Sequence, residues 1–296
     1  MGEATAGTGG QDHPGFDLDA YLQRIGHPPV PVPDLSRLRS LVACHTRTIA
    51  FENLDPFLGR PVMLDPASLQ AKLVAGRRGG YCFEQNLLLS HALATIGYAT
   101  EGLAARVVWH RPEDLPLPPR SHMLVRVELD EGPHLVDVGF GGVTLTGVLR
   151  LEAGTVQQTP HEPFRLVEVG DGGLIVQAEV AGTWQSLYRF GLEPAVQSDY
   201  EVSSWYLSNH PESPFVTGLT AARAGEGRRY ALRGHELTVH HLGTQSRRRT
   251  LGSPAELVSA LEGDFGLDLS GLGDIEGALA RLWEPGETTA DGAASR

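Results

Sequence analysis

The sequence predicts an α+β protein built in order: helices first, a β-barrel or sandwich second, mixed elements last. Three observations carry this. Apolar residues recur at helical spacing through most of the first third. From Tyr98 to about Trp184 they alternate instead, with glycine and proline breaks. Both patterns return in the last third.

The elements follow in chain order. Asp17-Leu18-Asp19-Ala20-Tyr21-Leu22 opens a helix with acidic residues in its first turn, where the helix dipole favours them. Residues 34–46 place Leu35, Leu38, Leu41 and Val42 on one helical face. Residues 66–73 read as a helix closed by Gly76. Residues 83–96 form an apolar helix that Cys82 opens and that ends near Gly97. Strands are expected at 104–109, 122–129, 133–138, 164–169 and 174–180, a spacing that suits a barrel or sandwich. The proline-rich residues 111–120 form a loop that delivers the chain to His122. In the last third, 199–208, 255–265 and 274–283 read as helices, and 229–233, 236–241 and 247–251 as strands. Residues 1–15 and 286–296 carry no pattern and are expected to be disordered.

Composition narrows the function. At 296 residues the chain is long enough for two or three domains with a sizeable core. Hydrophobic residues make up 41% and charged residues 20%, as in soluble globular proteins. A net charge of −12 argues against non-specific nucleic-acid binding and against a polybasic membrane surface. It leaves open an anionic small ligand, which responds to local charge. Cys44 and Cys82 are the only cysteines, too few for a disulfide framework, and no spacing resembles a zinc site. There is no basic-then-apolar start and no long apolar run, so a cytoplasmic location is expected.

Chemistry concentrates in three segments. The first is Arg77-Arg78-Gly79-Gly80-Tyr81-Cys82-Phe83-Glu84-Gln85-Asn86. A thiol at a helix N-terminus meets unpaired N–H groups and a partial positive charge, which favour the thiolate. The same cysteine also reads as a buried structural thiol. The second is Ser121-His122-Met123-Leu124-Val125-Arg126-Val127-Glu128-Leu129, where His122 faces away from the apolar row of Met123, Val125, Val127 and Leu129. It reads equally as a hydrogen-bonded core histidine. The third is Leu135-Val136-Asp137-Val138-Gly139-Phe140-Gly141-Gly142, with one charge in an apolar strand ending in glycines. A carboxylate buried there needs a partner, and an imidazole is a natural one. Together Cys82, His122 and Asp137 form a candidate nucleophile, base and orienting acid. Cys44, in a helical stretch, reads as a packed thiol.

These segments resemble the three catalytic segments of the arylamine N-acetyltransferases. Phe51-Glu52-Asn53-Leu54-Asp55, Leu187-Tyr188-Arg189-Phe190, His210-Pro211-Glu212-Ser213 and Arg248-Arg249-Thr250-Leu251 resemble other stretches of that family, from about Tyr21 to about Trp283. The chain departs from the pattern at Ser204, often Asn, and at Asn209, often Thr. Both departures bear on acyl-donor binding and lie outside the triad.

The resemblance implies a helical bundle over 1–97, a β-barrel over 98–205 and an α/β lid over 206–296, around a papain- or transglutaminase-like Cys-His-Asp core. It implies acetyl transfer from acetyl-CoA, as co-substrate, to the nitrogen of an arylamine or arylhydrazine, by a ping-pong route through acetyl-Cys82. No metal, nucleic acid or membrane is implied, and the chain is expected to be a monomer or homodimer. Glu52 and Arg78 are expected to pair behind the Cys82 loop, and Asn86 to help hold the triad. Tyr81 and Phe140 are candidate walls for the amine. Gly139, Gly141 and Gly142 are candidates for close approach of the CoA pyrophosphate, and Arg247 to Arg249 for its phosphates. The rival readings are an amide synthase of the same family fed by a carrier-protein thioester, a transglutaminase-like or cysteine-protease hydrolase, and a non-catalytic binding module.

Overall fold

The computed structural model describes residues 13–112, 114–170 and 172–284. Most of the two termini expected to be disordered lies outside the described residues. His13 to Phe16 instead form a turn, closed by the Phe16 N–H on the His13 carbonyl at 3.0 Å.

Helices dominate the first third. α1 (Leu18–Ile25) and α2 (Leu35–Thr48) are capped by the side chains of Asp17 and Asp34. A two-residue strand, β1 (Phe51–Glu52), and a single turn, α3 (Leu54–Phe57), follow. α4 (Pro66–Leu69) continues as a π-helical turn, Gln70–Ala75, which closes at Gly76. α5 (Cys82–Ile96) ends at Gly97, whose φ of 105° suits glycine. α5 is buried on every side from Cys82 to Leu89, which is why its sequence is apolar all round rather than striped.

Among the described residues, the middle third is one antiparallel sheet of eight strands. They are β2 (Ala99–Val107), β3 (His122–Leu129), β4 (Gly132–Val136), β5 (Leu149–Arg150), β6 (Val156–Gln157), β7 (Phe164–Glu168), β8 (Leu174–Val180) and β9 (Thr183–Pro194), in the order β5-β4-β3-β2-β9-β8-β7-β6. The Gln157 amide nearly closes this sheet into a barrel. It accepts from the Arg150 N–H at 2.7 Å and donates to the Arg150 carbonyl at 2.9 Å, bridging the two edge strands. β2 begins five residues before the expected start. Its early residues, Thr100, Glu101 and Gly102, carry no apolar signal, and Gly102 leaves room for the Tyr200 side chain. β9 was not anticipated; polar residues and a bulge in its pairing with β8 interrupt the alternation.

In the last third, α6 (Gln197–Asn209) spans the expected junction at 205/206. α7 (Pro214–Thr217) leads to β10 (Thr220–Gly225), β11 (Arg228–Arg233), β12 (Glu236–His241) and β13 (Arg247–Thr250). β1 joins them to make the sheet β1-β10-β11-β12-β13, with Phe51 opposite Ala222. α8 (Pro254–Gly263) and α9 (Ile275–Leu279) pack on this sheet through Leu257, Leu261 and Leu279, against Leu232 and Leu237. α9 is shorter than expected and continues as a 3-10 turn, Ala280–Leu282.

Two cores meet at β3. Met123, Val125 and Val127 point toward α1, α2 and α5, while Leu124 points into the barrel with Leu103, Leu135 and Phe164. Each such fully buried side chain contributes about 1.5–3 kcal/mol. The strand therefore locks the helical layer to the barrel at the point where His122 sits. Among the described residues, no helix is long and apolar enough to cross a membrane.

Candidate active site

Cys82 is the first residue of α5, and His122 the first of β3. Asp137 lies just past the end of β4, which pairs with β3. The strand pairing brings His122 and Asp137 together, and the packing of α5 on β3 brings in Cys82. The His122 Nε2 and Asp137 Oδ2 are 2.7 Å apart. The Cys82 Sγ is 3.6 Å from the carbonyl oxygen of Ser121, the residue before His122, and the thiol lies near enough to the imidazole to help raise it. All three side chains are buried: Cys82 is 3% exposed, His122 2% and Asp137 0%.

Asn86, one turn after Cys82, braces the group. Its Nδ2 donates to Asp137 Oδ1 at 2.9 Å and to the Met123 carbonyl at 2.7 Å, and its Oδ1 accepts from the Val138 N–H at 3.0 Å. The Gly139 N–H also donates to Asp137 Oδ1, at 2.9 Å. Asp137 thus accepts three hydrogen bonds, which makes burial of its charge affordable.

The charges reinforce each other. Burial works against a charged imidazole, but the Asp137 carboxylate outweighs it by charge and hydrogen bond, and His122 is pushed up to about 10. Burial likewise opposes ionisation of Asp137, yet His122, Asn86 and the Gly139 N–H hold its carboxyl below the usual range.

Aromatic rings wall this centre. Phe140, half-buried, lies 5.4 Å from the His122 ring and 5.5 Å from Trp109. Tyr188 lies 4.8 Å from His122, and burial and the Asp137 charge both raise its phenol well above its ordinary pKa. Tyr188 is a site residue that the sequence does not single out: between Leu187 and Phe190 it looks like any core aromatic. Tyr81 is placed differently from the expectation. It is fully buried against Phe83 and Phe215, with its hydroxyl 2.5 Å from Ser204 Oγ. Ser204 therefore serves this packing.

The three glycines divide. Gly139 is buried, and a Cβ there would lie 2.7 Å from the Cys82 Cα, so it brings its loop against α5 rather than against a ligand. Gly141, also buried, has a φ of 92° and faces Phe51. Gly142 reaches a cavity of about 770 Å³, whose lining includes Trp109, His161, Arg229, His240 and Ser246. That cavity lies between the barrel and the C-terminal sheet. Arg247 to Arg249 lie on the exposed edge strand, with Arg248 near Glu236 and Arg249 near Asp264.

Glu52 and Arg78 do pair. Arg78 Nε and Nη2 reach Glu52 Oε1 at 3.0 and 2.7 Å, and Nη2 reaches Asp55 Oδ1 at 3.3 Å. Gln85, which carried no signal in the sequence, links His45 to this loop. Its Oε1 is 2.7 Å from His45 Nε2, and its Nε2 donates to the carbonyls of Ala50 and Gly80. Cys44 is half-buried on α2, where the Arg47 guanidinium reaches its Sγ at 3.6 Å. Among the described residues, no group of three or more His, Cys, Asp or Glu is arranged to hold a metal.

Known proteins share this arrangement of elements. A family model described as N-acetyltransferase matches residues 34–273. An arylamine N-acetyltransferase of Mycolicibacterium smegmatis is 49% identical over 272 residues, covering 90% of this chain and 98% of that one. The structure of Mycobacterium marinum arylamine N-acetyltransferase in complex with CoA matches with a TM-score of 0.87 at 45% identity, over 90% of this chain and 99% of that one. The arylamine N-acetyltransferase of Salmonella typhimurium matches with a TM-score of 0.84 at 37% identity, over 90% and 97%. The chain belongs to the arylamine N-acetyltransferase family and is an acyltransferase.

Proposed function

We propose that the chain transfers an acetyl group from acetyl-CoA to the nitrogen of arylamines or arylhydrazines, through a thioester on Cys82. The observation that carries this reading is the contiguity of Cys82, His122 and Asp137 at a helix N-terminus, with the imidazole raised to about 10. A relative solved with CoA supports the donor.

His122 receives the thiol proton on the nitrogen facing Cys82, while its Nε2–H stays on Asp137. The thiolate attacks the acetyl thioester carbonyl, the new C–S bond forms, and CoA leaves with the proton from the imidazolium. The amine then attacks acetyl-Cys82. His122 takes the N–H proton as the amide forms and the thiolate is released. The Cys82 backbone N–H, at the start of α5, is assigned as an oxyanion donor in both steps. Phe140 walls the amine, and CoA lies in the cleft by Trp109 and Gly142. A papain- or transglutaminase-like core, the three-unit division at 97/98 and 205/206, and a reducing cytoplasm belong to the same reading.

Steady-state kinetics test it. Plots of reciprocal rate against reciprocal amine concentration, at several acetyl-CoA levels, are expected to be parallel, because CoA departs before the amine enters. Intersecting plots, with no acetyl adduct on Cys82 in the absence of amine, would mean direct transfer and end the thioester route. Mass spectrometry after incubation with acetyl-, propionyl- or malonyl-CoA, or a carrier-protein thioester, separates the acetyltransferase from the amide synthase. Acylation by the carrier thioester alone would favour the synthase.

A further inference from the structure

We propose that Lys72 is a positioning residue for Cys82, acting through Glu84 on the backbone that precedes the nucleophile. The inference rests on the thioester reading above.

The peptide between Gly80 and Tyr81 sets where α5 begins. Its carbonyl accepts from the Glu52 N–H at 3.1 Å and from Gln85 Nε2 at 3.1 Å. Its N–H donates to Glu84 Oε2 at 3.0 Å. The other Glu84 oxygen is 2.6 Å from Lys72 Nζ, and Lys72 Nζ is also 2.6 Å from Asp55 Oδ2. Asp55 meets Arg78, and Arg78 meets Glu52. Five charged side chains thus form a chain from Glu52 to Glu84, and both ends return to one peptide. Lys72 is the link between the two halves.

Its backbone is tied to the same segment. The π-helical turn offers the Lys72 carbonyl to the Arg78 N–H at 3.1 Å, four residues before Cys82. A cavity of about 380 Å³, lined by Pro61, Val62 and Met63, opens onto Lys72, Asp55 and Glu84. Neither Cys82, His122 nor Asp137 lines that cavity, so Lys72 touches no reacting atom.

The electrostatics make the link directional. Burial pushes the Glu84 carboxyl up, and the Lys72 charge and hydrogen bond pull it back against Glu52 and Asp55, which raise it. Burial lowers Lys72, but Glu84, Glu52 and Asp55 lift it above its ordinary value against Arg78. Without Lys72, Glu84 is a buried carboxylate facing two others. Where it stays ionised it swings away from them, and the Tyr81 N–H loses its fixed acceptor.

The test compares the full chain with Lys72→Met, Glu84→Gln and the double variant, reading acetylation of Cys82 by acetyl-CoA in rapid-quench mass spectrometry. Lys72→Met is expected to acetylate at least about ten-fold more slowly, since small misplacement of a reacting atom is costly. Alkylation of Cys82 by iodoacetamide slows in parallel, while the amine KM stays within about two-fold of wild type. The Lys72→Met deficit, relative to wild type, widens from about pH 7 to about pH 9 as Glu84 ionises unpaired. Glu84→Gln in the same background removes that widening and recovers most of the rate, because the neutral amide oxygen still accepts from Tyr81. Wild-type acetylation by Lys72→Met, or a double variant no faster than Lys72→Met, overturns the proposal. If Lys72→Met does not fold, the double variant is set against Glu84→Gln alone: equal rates are expected, and a double variant about ten-fold slower overturns the proposal. Failure of the wild-type chain to acetylate at Cys82 would sink the thioester reading instead.

Discussion

Two thiols separate sharply at the scale of single residues. Cys82 meets an imidazole at a helix start, whereas Cys44 packs on α2 beside Arg47. Cys82→Ser is expected to abolish turnover with the fold intact, and Cys44→Ser to leave activity nearly unchanged; thermal melts and transfer assays check both. A folded Cys82→Ser protein with near-wild-type transfer would show that the wrong atom had been chosen. Asp137→Asn keeps the shape but removes the counter-charge that lifts His122, and it disturbs the tautomer. Acetyl-enzyme formation is expected to drop by about two to four orders of magnitude. Cys82, His122, Asp137 and Asn86 were legible because each polar group interrupts an apolar run or opens a helix. Tyr188, Gln85 and Lys72 were not. A tyrosine in a strand, a glutamine in a helix and a lysine in another helix carry no local mark, and only the three-dimensional contacts give them a role.

Single elements meet at the N-terminus of α5, where the loop after β4 comes so close that only glycine fits. Gly139→Ala would put a methyl group 2.7 Å from the Cys82 Cα and 2.9 Å from Asn86 Nδ2. Backbone has to move, so a loss of about 1–3 kcal/mol is expected, together with a large loss of acetylation rate. Denaturant titration and the burst assay measure the two. An unchanged burst would show that this contact does not register the triad. Capped helices and the strand at 122–129 were readable, since caps and strict alternation are local signals. β1 was not, because two residues make no pattern, and β10 was not, because Thr-Ala-Ala-Arg-Ala-Gly has little strand preference. Both are strands by virtue of their neighbours.

The whole molecule carries buried and half-buried histidines whose proton uptake opposes folding. Burial, with Arg24 nearby, pushes His45 down to about 4 against the Gln85 hydrogen bond, and burial with His13 does the same to His91. Unfolded histidine titrates near 6.5, so between about 6.5 and about 4 the unfolded chain binds more protons. Stability is therefore expected to be present above about pH 6.5 and to be lost as pH falls through that window, His45 accounting for about 3 kcal/mol. Glu84, raised by burial, works in the opposite sense. The clean measurement is thus the difference in pH slope between wild type and His45→Gln in urea titrations; equal slopes would remove His45 from the account. The order of helices, barrel and mixed last third was legible, whereas the threading of β1 into the C-terminal sheet was not. That threading governs when the protein can first become an enzyme. Glu52 is held in β1 by β10, so its N–H on the Gly80 carbonyl depends on a strand made some 170 residues later. A chain still emerging from the ribosome can bury its helices and much of its barrel, yet it cannot set the Cys82 loop. Reactivity of the thiol is postponed until β10 has been made, and fragments ending before residue 220 are expected to be inert toward acetyl-CoA.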